Sequence, residues 1–196
     1  EWLTRFLRRT HAPSLIFVRT KRGADQLATS LASRGVRCAP LHADRTQKER
    51  SAAVEGFRSG RHTALVATDI AARGLDVDAI SHVINYDLPL EPEVYIHRIG
   101  RTARAGAGGD AVSFCSAGER DFLRSIEKLI RTVVPVDTSH NFHSEAACRA
   151  TGTDARPAPK EQRGGSHGGQ VRRGSPRPAA GPAHQSHFRQ GRSHYR

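Results

Sequence analysis

The clearest candidate for chemistry is a cluster of three arginines, Arg98, Arg101 and Arg104, in the segment YIHRIGRTARAG (residues 95–106). Cations this close repel one another, so the cluster needs an anion to be stable. The planar guanidinium of Arg binds phosphate through two hydrogen bonds at once, and phosphate is therefore the anion that the cluster fits best. The alternative is pairing with nearby carboxylates, which we expect for one of the three arginines. The nearby carboxylates are Asp69, Asp76, Glu91 and Glu93.

Two further polar segments follow apolar runs that are typical of buried strands. RTKRG (19–23) follows SLIFV (14–18), and TDIAARGLDVD (68–78) follows TALVAT (63–68). In open parallel sheets, ligands bind beyond the carboxyl ends of the strands. We therefore expect both segments and the arginine cluster to converge on that edge of one sheet.

Alternating strand and helix patterns predict this sheet. Strands are predicted at 14–18, 36–42, 63–68, 82–87 and 111–116. Helices are predicted from residue 24 to a stop at Gly35, at 45–60, at 91–102 and around 122–130. Strands that alternate with helices form βαβ units, so we predict an α/β fold whose parallel sheet is covered by helices on both faces.

The chain contains no complete phosphate-binding motif of its own. The Walker A sequence GxxxxGK[ST] is absent. GAGGDA (106–111) matches the loose dinucleotide pattern, but it precedes a predicted strand, whereas that fingerprint must follow a strand and open a helix. We interpret GAGGDA as a turn. The chain therefore holds at most half of a catalytic site.

The cysteines and the hydropathy exclude several classes of protein. Cys38, Cys115 and Cys148 are widely spaced and form no CxxC pair. A disulfide framework and a bound metal are therefore not expected, and a reducing cytosol fits this pattern. No apolar run approaches the roughly 20 residues of a membrane span. We expect a cytoplasmic protein with no membrane partner.

The charge indicates an anionic partner, most simply a nucleic acid, because the net charge is +12 and the pI is near 10.9. The alternative is a soluble surface that ends in a basic tail. Residues 151–196 carry nine Lys or Arg, two Asp or Glu and few large apolar side chains, too few to offset the entropy of ordering. We predict a domain at 1–135, an extension at 136–150 and a disordered basic tail at 151–196. The chain has no methionine, and we interpret it as a piece of a longer protein.

Four segments together resemble motifs IV, IVa, V and VI of the DEAD-box RNA helicases, in that order and with normal spacing. They are LIFVRTKRGAD (15–25), LHADRTQKER (41–50), VATDIAARGLDV (66–77) and YIHRIGRTARAG (95–106). The resemblance covers residues 1 to about 145, which look like the second RecA-like domain of such a helicase. The segments FCSAGERDFLRSIEKLI (114–130) and HNFHS (140–144), with the basic tail, are similar to the bacterial RhlE-like subgroup. Ala103 departs from the family, in which many members have Gly.

The resemblance implies a RecA-like parallel sheet that lacks its own Walker A motif. It implies ATP with Mg²⁺ as cofactors and structured or duplex RNA as the partner. The N-terminal RecA-like domain of the same polypeptide would supply Walker A, the DEAD carboxylates and the ligands of Mg²⁺, so the chain alone would be inactive as an ATPase. Ribosomal or RNA-decay assemblies are partners that the sequence leaves open.

The resemblance also implies a role for each matching residue. Arg101 and Arg104 would be arginine fingers that reach the γ-phosphate of ATP, and Gly74 and Asp76 would contact the nucleotide. The residues that would couple nucleotide to RNA between the domains are His97, Arg98, Asp69 and Arg73, with Asp69 as the partner of Arg98. The residues that would face RNA are Thr20, Arg22, Gly23, Arg50 and Thr68.

Each assignment has a plainer alternative. Thr20 could cap the following helix, Arg50 could pair with Glu55, and Asp76 could be a turn residue. His42 and His82 are interpreted as structural. For the whole chain, the alternatives are a non-enzymatic RNA-binding or annealing module and a DNA-directed superfamily 2 translocase.

Overall fold

Five parallel strands form one sheet in the computed structural model, which describes residues 1–75, 77, 80–102 and 109–156. The strands are β1 Ser14–Phe17, β2 Cys38–Leu41, β3 Ala64–Ala67, β4 His82–Asn85 and β5 Asp110–Ser113, in the spatial order β2-β3-β1-β4-β5. The α-helices are α1 Trp2–Thr10, α2 Lys21–Ala32, α3 Gln47–Arg58, α4 Asp69–Ala72, α5 Pro92–Ile99, α6 Arg120–Ile130 and α7 Glu145–Arg149. Short 3₁₀ helices span Ala117–Glu119 and Gly152–Ala155. Over these ranges, no helix is long and apolar enough to cross a membrane.

The predicted α/β class is confirmed, because every predicted strand and helix is present and all strand pairs are parallel. The helix predicted at 91–102 is shorter than expected and ends at Ile99 with Gly100 as its C-cap. The three arginines are therefore not arranged along one helix: Arg98 lies in α5, whereas Arg101 lies in the turn that follows. Helices α1, α4 and α7 were not predicted.

The central strands β1 and β3 are buried on both faces, as their continuous apolar sequences require, and β4 is buried from Val83 to Asn85. The outer strands β2 and β5 are more exposed. One face packs against α3, α4 and the segment after α4; its core includes Leu15, Phe17, Leu65, Val83, Phe57 and Leu75. The other face packs against α1 and α2; its core includes Ile16, Val66, Ile84, Leu3, Leu7 and Leu31. A smaller core joins α5 to α6 through Leu88, Tyr95, Leu123 and Ile126. The parallel arrangement places all strand ends of one kind at the same edge.

The chain beyond α6 packs back on the domain as far as residue 156. The ring of His140 meets the edge of Trp2 at 5.7 Å between centroids, and Arg156 Nε donates to Asp121 Oδ2 at 2.9 Å. Ala155 is fully buried, with 0% of its surface exposed. Residues 151–156 were predicted to belong to the tail, and their packing corrects that boundary. The predicted disorder from residue 157 onward falls outside the described residues, as does most of the turn predicted at 106–111.

Strand β2 lies at the edge of the sheet and contains a proline, Pro40. The carbonyls of Arg37 and Leu41 accept hydrogen bonds from Ala64 N and Thr68 N of the β3 segment. Because successive residues of a strand point their backbone groups in opposite directions, Pro40 faces away from β3. It therefore removes no hydrogen bond from the ladder.

Candidate functional site

The carboxyl end of β1 leads into the first turn of α2 through Thr20. The hydroxyl of Thr20 accepts a hydrogen bond from Gly23 N at 2.9 Å, so Thr20 caps the helix as the alternative interpretation predicted. A Cβ at position 23 would lie 2.9 Å from this hydroxyl oxygen, which favours glycine there. Lys21 and Arg22 are exposed beside it. The cap, the helix N-terminus and Arg22 together form a surface that favours an anion.

The carboxyl end of the neighbouring strand β3 leads through Thr68 into α4. Thr68 is buried and accepts backbone hydrogen bonds from Ala71 and Ala72 through its carbonyl, which starts the short helix with Asp69 as its first residue. Because β1 pairs with β3, Thr68 and Thr20 lie at the same edge. The predicted convergence of these two segments is confirmed.

Arg98 is buried at the centre of the site and binds partners of its own domain through four of its five N–H groups. Its guanidinium donates to both oxygens of Asp69, at 2.7 and 2.8 Å. It also donates to Asn85 Oδ1 at 3.0 Å and to the carbonyl of Asp87 at 2.7 Å. The same group lies over the ring of Phe17, 4.9 Å from its centroid. These four hydrogen bonds leave one of the five N–H groups of Arg98, so it cannot also clamp a ligand.

Asn85 is a residue that sequence reasoning missed. It ends β4 and is fully buried; its Oδ1 accepts from Arg98 and its Nδ2 donates to Ser113 Oγ at 3.1 Å. The amide thus holds Arg98 against β4 and links it to β5. The available signal was a polar residue directly after the apolar pair Val83 and Ile84 in the strand HVIN.

A second ion pair that the sequence did not indicate fixes the segment after β4. Arg19 Nη2 and Leu88 N both donate to Glu119 Oε1, at 2.5 and 3.1 Å. Arg19 N donates to Asp87 Oδ2 at 2.7 Å. Since Asp87 also supplies the carbonyl that Arg98 binds, the two networks share the same loop.

Arg101 differs from Arg98, since within the described ranges its side chain makes no hydrogen bond or ion pair. The next residue, Thr102, donates through Oγ1 to the carbonyls of Ile80 at 2.9 Å and Ser81 at 3.2 Å, both of which precede β4. Arg101 therefore lies toward the amino end of β4, and the expectation that it joins the carboxyl edge is wrong. His97 is exposed on α5. Arg104 and Asp76 lie outside the described residues.

A cleft of about 520 Å³ between α3 and the turn after α4 brings Arg50, Arg73 and Gly74 together. Arg50 Nε is buried and has no hydrogen-bond partner in the described part of the chain, and Glu55 makes no ion pair with Arg50. Gly74 has φ of +71°, a conformation that side chains other than glycine rarely adopt. Because Arg50 lines the cleft, its guanidinium is suited to an anion that enters it.

His42 has a structural role, as predicted. It is buried, and its Nε2 lies 3.0 Å from Asp25 Oδ1, while Arg45 binds the same carboxylate. The hydrogen bond from His42, assisted by Arg45, holds the pKa of Asp25 below its usual value despite an opposing effect of burial. His82 packs edge-on against Phe6 at 5.0 Å and is likewise structural. No described group of three His, Cys, Asp or Glu could hold a metal ion.

The sequence and the fold of this chain are similar to those of known helicases. The profile of the helicase conserved C-terminal domain matches residues 1–106. The ATP-dependent RNA helicase CshA of Limosilactobacillus reuteri is 48% identical over 118 residues, 60% of this chain and 24% of that protein. The E. coli DEAD-box protein SrmB, solved bound to regulator of ribonuclease activity A, has a TM-score of 0.65 and 37% identity over 68% of this chain and 79% of that one. S. cerevisiae Dbp5, solved with RNA and ADP BeF3, has a TM-score of 0.60 and 40% identity over 64% and 34%.

The sheet order and the arginine segment after β4 thus define a RecA-like helicase domain. The chain belongs to the family of helicase conserved C-terminal domains, and its domain is that of a DEAD-box helicase. It spans about a quarter of the length of the curated relatives it matches. The RhlE-like subgroup stays a prediction.

Proposed function

We propose that this chain is the second domain of an ATP-dependent RNA helicase and that it completes, from one side, a nucleotide site formed with a first RecA-like domain. The observation that carries the proposal is the contrast between two arginines three residues apart. Arg98 is buried and bound on four N–H groups, whereas Arg101 has no partner within the described ranges. A half-buried guanidinium without a partner in the described part of its own domain is suited to an anion carried by another domain.

The RNA side of the proposal rests on the carboxyl edge of β1 and β3. Thr20, Arg22 and Gly23 surround the start of α2, and Thr68, which follows β3 and caps α4, lies at the same edge. Hydroxyls, backbone amides and one guanidinium recognise phosphate and sugar without reading bases. Contacts to the 2′-hydroxyl would distinguish RNA from DNA. Arg50 adds a buried, unpaired donor in the adjacent cleft.

The nucleotide side rests on the residues that would hold ATP from this domain. They are Gly74, Asp76, Arg101 and Arg104. Bound ATP would supply a phosphoryl group for transfer to water, and the first domain would supply Walker A and the ligands of Mg²⁺. In this chain Arg101 and Arg104 would neutralise charge on the transferred group, and Asp76 would accept from a ribose hydroxyl.

The two sides are joined by the Arg98–Asp69 pair, which supports a coupling role for both residues. Asp69 directly follows Thr68 on the RNA side, and Arg98 of α5 precedes Arg101, in the turn on the nucleotide side, by three residues. A displacement of the turn at Arg101 would therefore act on α4 through a rigid, buried contact. His97 and Arg73, both exposed near this path, would meet the first domain.

The proposal is tested in the protein that contains both domains. Arg101→Ala and Arg104→Ala should each lower the RNA-stimulated kcat by roughly 10³-fold or more, with a small change in KM for ATP. Arg22→Ala is the matched control: it should raise the RNA concentration needed for half-maximal turnover and leave kcat nearly unchanged. The 196-residue chain alone should hydrolyse no ATP in the presence of RNA.

Three outcomes would reject the proposal. An unchanged kcat in both finger variants would remove their catalytic role. RNA binding without any ATPase activity in the two-domain protein would favour the annealing module. Equal or stronger stimulation by DNA would favour the DNA translocase.

A further inference from the structure

The amino ends of the strands form a second charged edge, opposite the carboxyl edge described above. The segment before β1 contains His11, the segment before β2 contains Arg34 and Arg37, and the segment before β3 contains Arg61 and His62. All of these are exposed except His62, which is half-buried. We call these five residues the basic edge. The last turn of α1 adds Arg8 and Arg9, three and two residues before His11.

Hydrogen bonds hold the three segments of the basic edge side by side. Thr63 N donates to the carbonyl of Arg37 at 2.7 Å, and Ser14 N donates to the carbonyl of Thr63 at 3.0 Å. His62 N donates to the carbonyl of Gly56 at 2.8 Å, which fixes the turn after α3. Neighbouring strands lie about 5 Å apart, so the cations are spread over about 10 Å on a rigid frame.

The charge of the basic edge is not compensated locally. Residues 11–14, 33–38 and 59–63 contain no Asp or Glu. In the part of the chain that the structure describes, Arg37 and Arg61 form no ion pair. Burial, and then repulsion by the nearby charges of Arg61 and Arg37, hold the pKa of His62 below its usual value. Among the first residues of the five described strands, only Asp110 of β5 is acidic, and its Oδ2 lies 3.7 Å from His82 Nε2.

We infer that the basic edge is a second RNA-binding surface, which contacts the phosphate backbone of a segment that flanks the RNA held at the carboxyl edge. The inference rests on the proposed function for the identity of the nucleic acid. A four-residue strand spans about 13 Å, so the two edges cannot bind the same phosphates. The three segments contain no Phe, Tyr or Trp, and their arginines are suited to phosphate, so we expect recognition mainly by charge and without a strong dependence on sequence. The chain's own tail is basic and would be repelled.

Salt dependence of binding tests the inference directly. The probe is a fluorescein-labelled RNA hairpin with a single-stranded 3′ flank, titrated with the 196-residue chain at several KCl concentrations. Arg37→Gln with Arg61→Gln should reduce the slope of log K against log salt by about 1.4–1.8, because each lost phosphate contact contributes about 0.7–0.9. The control is Lys128→Gln with Arg149→Gln, which changes the net charge equally at exposed positions on α6 and α7. Its slope should match that of the unaltered chain.

Further measurements separate the possible explanations. Arg37→Lys with Arg61→Lys keeps the charge and should restore the slope, whereas a loss caused by misfolding would not be restored. Equal salt slopes for the Arg37→Gln, Arg61→Gln variant and for the control variant would overturn the inference. So would displacement of the RNA by polyglutamate as efficiently as by unlabelled RNA of equal charge, which would indicate an acidic protein as the partner.

The inference and the proposed function fail in different ways. Binding to the basic edge is measured without ATP, so a protein that proves inactive as an ATPase can still show the loss of slope. If the proposed function holds and the inference does not, Arg37→Gln with Arg61→Gln will change neither the salt slope of RNA binding nor the ATPase activity of the two-domain protein. The NMR-detected pKa of His62 should rise when RNA neutralises Arg37 and Arg61, and no rise would count against the inference.

Discussion

The carboxylate of Asp69 and the guanidinium of Arg98 meet in two parallel hydrogen bonds of 2.7 and 2.8 Å across 29 positions of sequence. Breaking a buried pair leaves a charge without a partner, and we expect Arg98→Ala to lower the free energy of unfolding by about 3 kcal/mol. Arg101→Ala is the matched control and should change it by about 0.5 kcal/mol or less. Urea unfolding of both variants measures the difference. Similar losses for both would show that Arg101 also has a structural partner.

The backbone of Gly74 leads to a second prediction. Its φ of +71° disfavours any residue with a Cβ, although the space around that Cβ is open. Gly74→Ala should therefore destabilise the domain by about 1–2 kcal/mol through backbone strain alone. Gly74→Asn should cost less, because asparagine visits this conformation more readily. Equal costs in thermal unfolding would instead point to a steric clash.

The Asp25 carboxylate should make stability depend on pH in the acidic range. Its pKa is lowered in the folded state by the hydrogen bond with His42, with help from Arg45. Its contribution is thus complete above the unfolded-state pKa near 3.9 and is lost as the pH falls through the lower folded-state value. The difference in urea midpoint between the unaltered chain and Asp25→Asn should shrink between about pH 5 and pH 3. A constant difference over that range would contradict this linkage.

The three free cysteines should react at different rates. Burial raises the pKa of the Cys38 thiol to about 11 and raises that of Cys115 as well, whereas Cys148 is exposed on α7. Because the thiolate is the reactive form, only about a thousandth of Cys38 is reactive at pH 8. Iodoacetamide should alkylate Cys148 first, as measured by peptide mass spectrometry. Rapid labelling of Cys38 would mean that β2 opens readily.

Packing beyond residue 150 leads to a further prediction about the domain boundary. Ala155 is fully buried, whereas Thr153 in the same 3₁₀ helix is exposed. Ala155→Arg should therefore lower the free energy of unfolding by about 1–3 kcal/mol, and Thr153→Arg should leave it nearly unchanged. A chain that ends after Arg156 should unfold at the same urea concentration as the whole chain. Equal effects of the two substitutions would restore the boundary expected near residue 150.

The fold could be predicted because buried parallel strands leave continuous apolar runs such as SLIFV, separated by helices of regular period. Helix α4 was missed because four residues are too short to show a period. The return of residues 139–156 onto the domain depends on contacts with α1 and α6 that no local pattern indicates.

The candidate site could be predicted only in outline. Arg98, Arg101 and Arg104 are evenly spaced in the sequence, but α5 ends between Arg98 and Arg101. Arg98 is therefore buried, whereas Arg101 is only half-buried. Asn85 was predicted only as part of the strand at 82–87, and no local pattern indicated that its amide would be buried against Arg98 of α5. Which polar group is buried depends on where neighbouring elements end, and that is decided by tertiary packing.

Pro40 on strand β2 has a consequence for association. An exposed edge strand offers unpaired N–H and C=O groups to which another strand could add. Because Pro40 faces outward and has no N–H, the donor at the middle of β2 is missing. Strand addition there would leave a gap in the new ladder, so this edge resists edge-to-edge aggregation while the sheet remains intact.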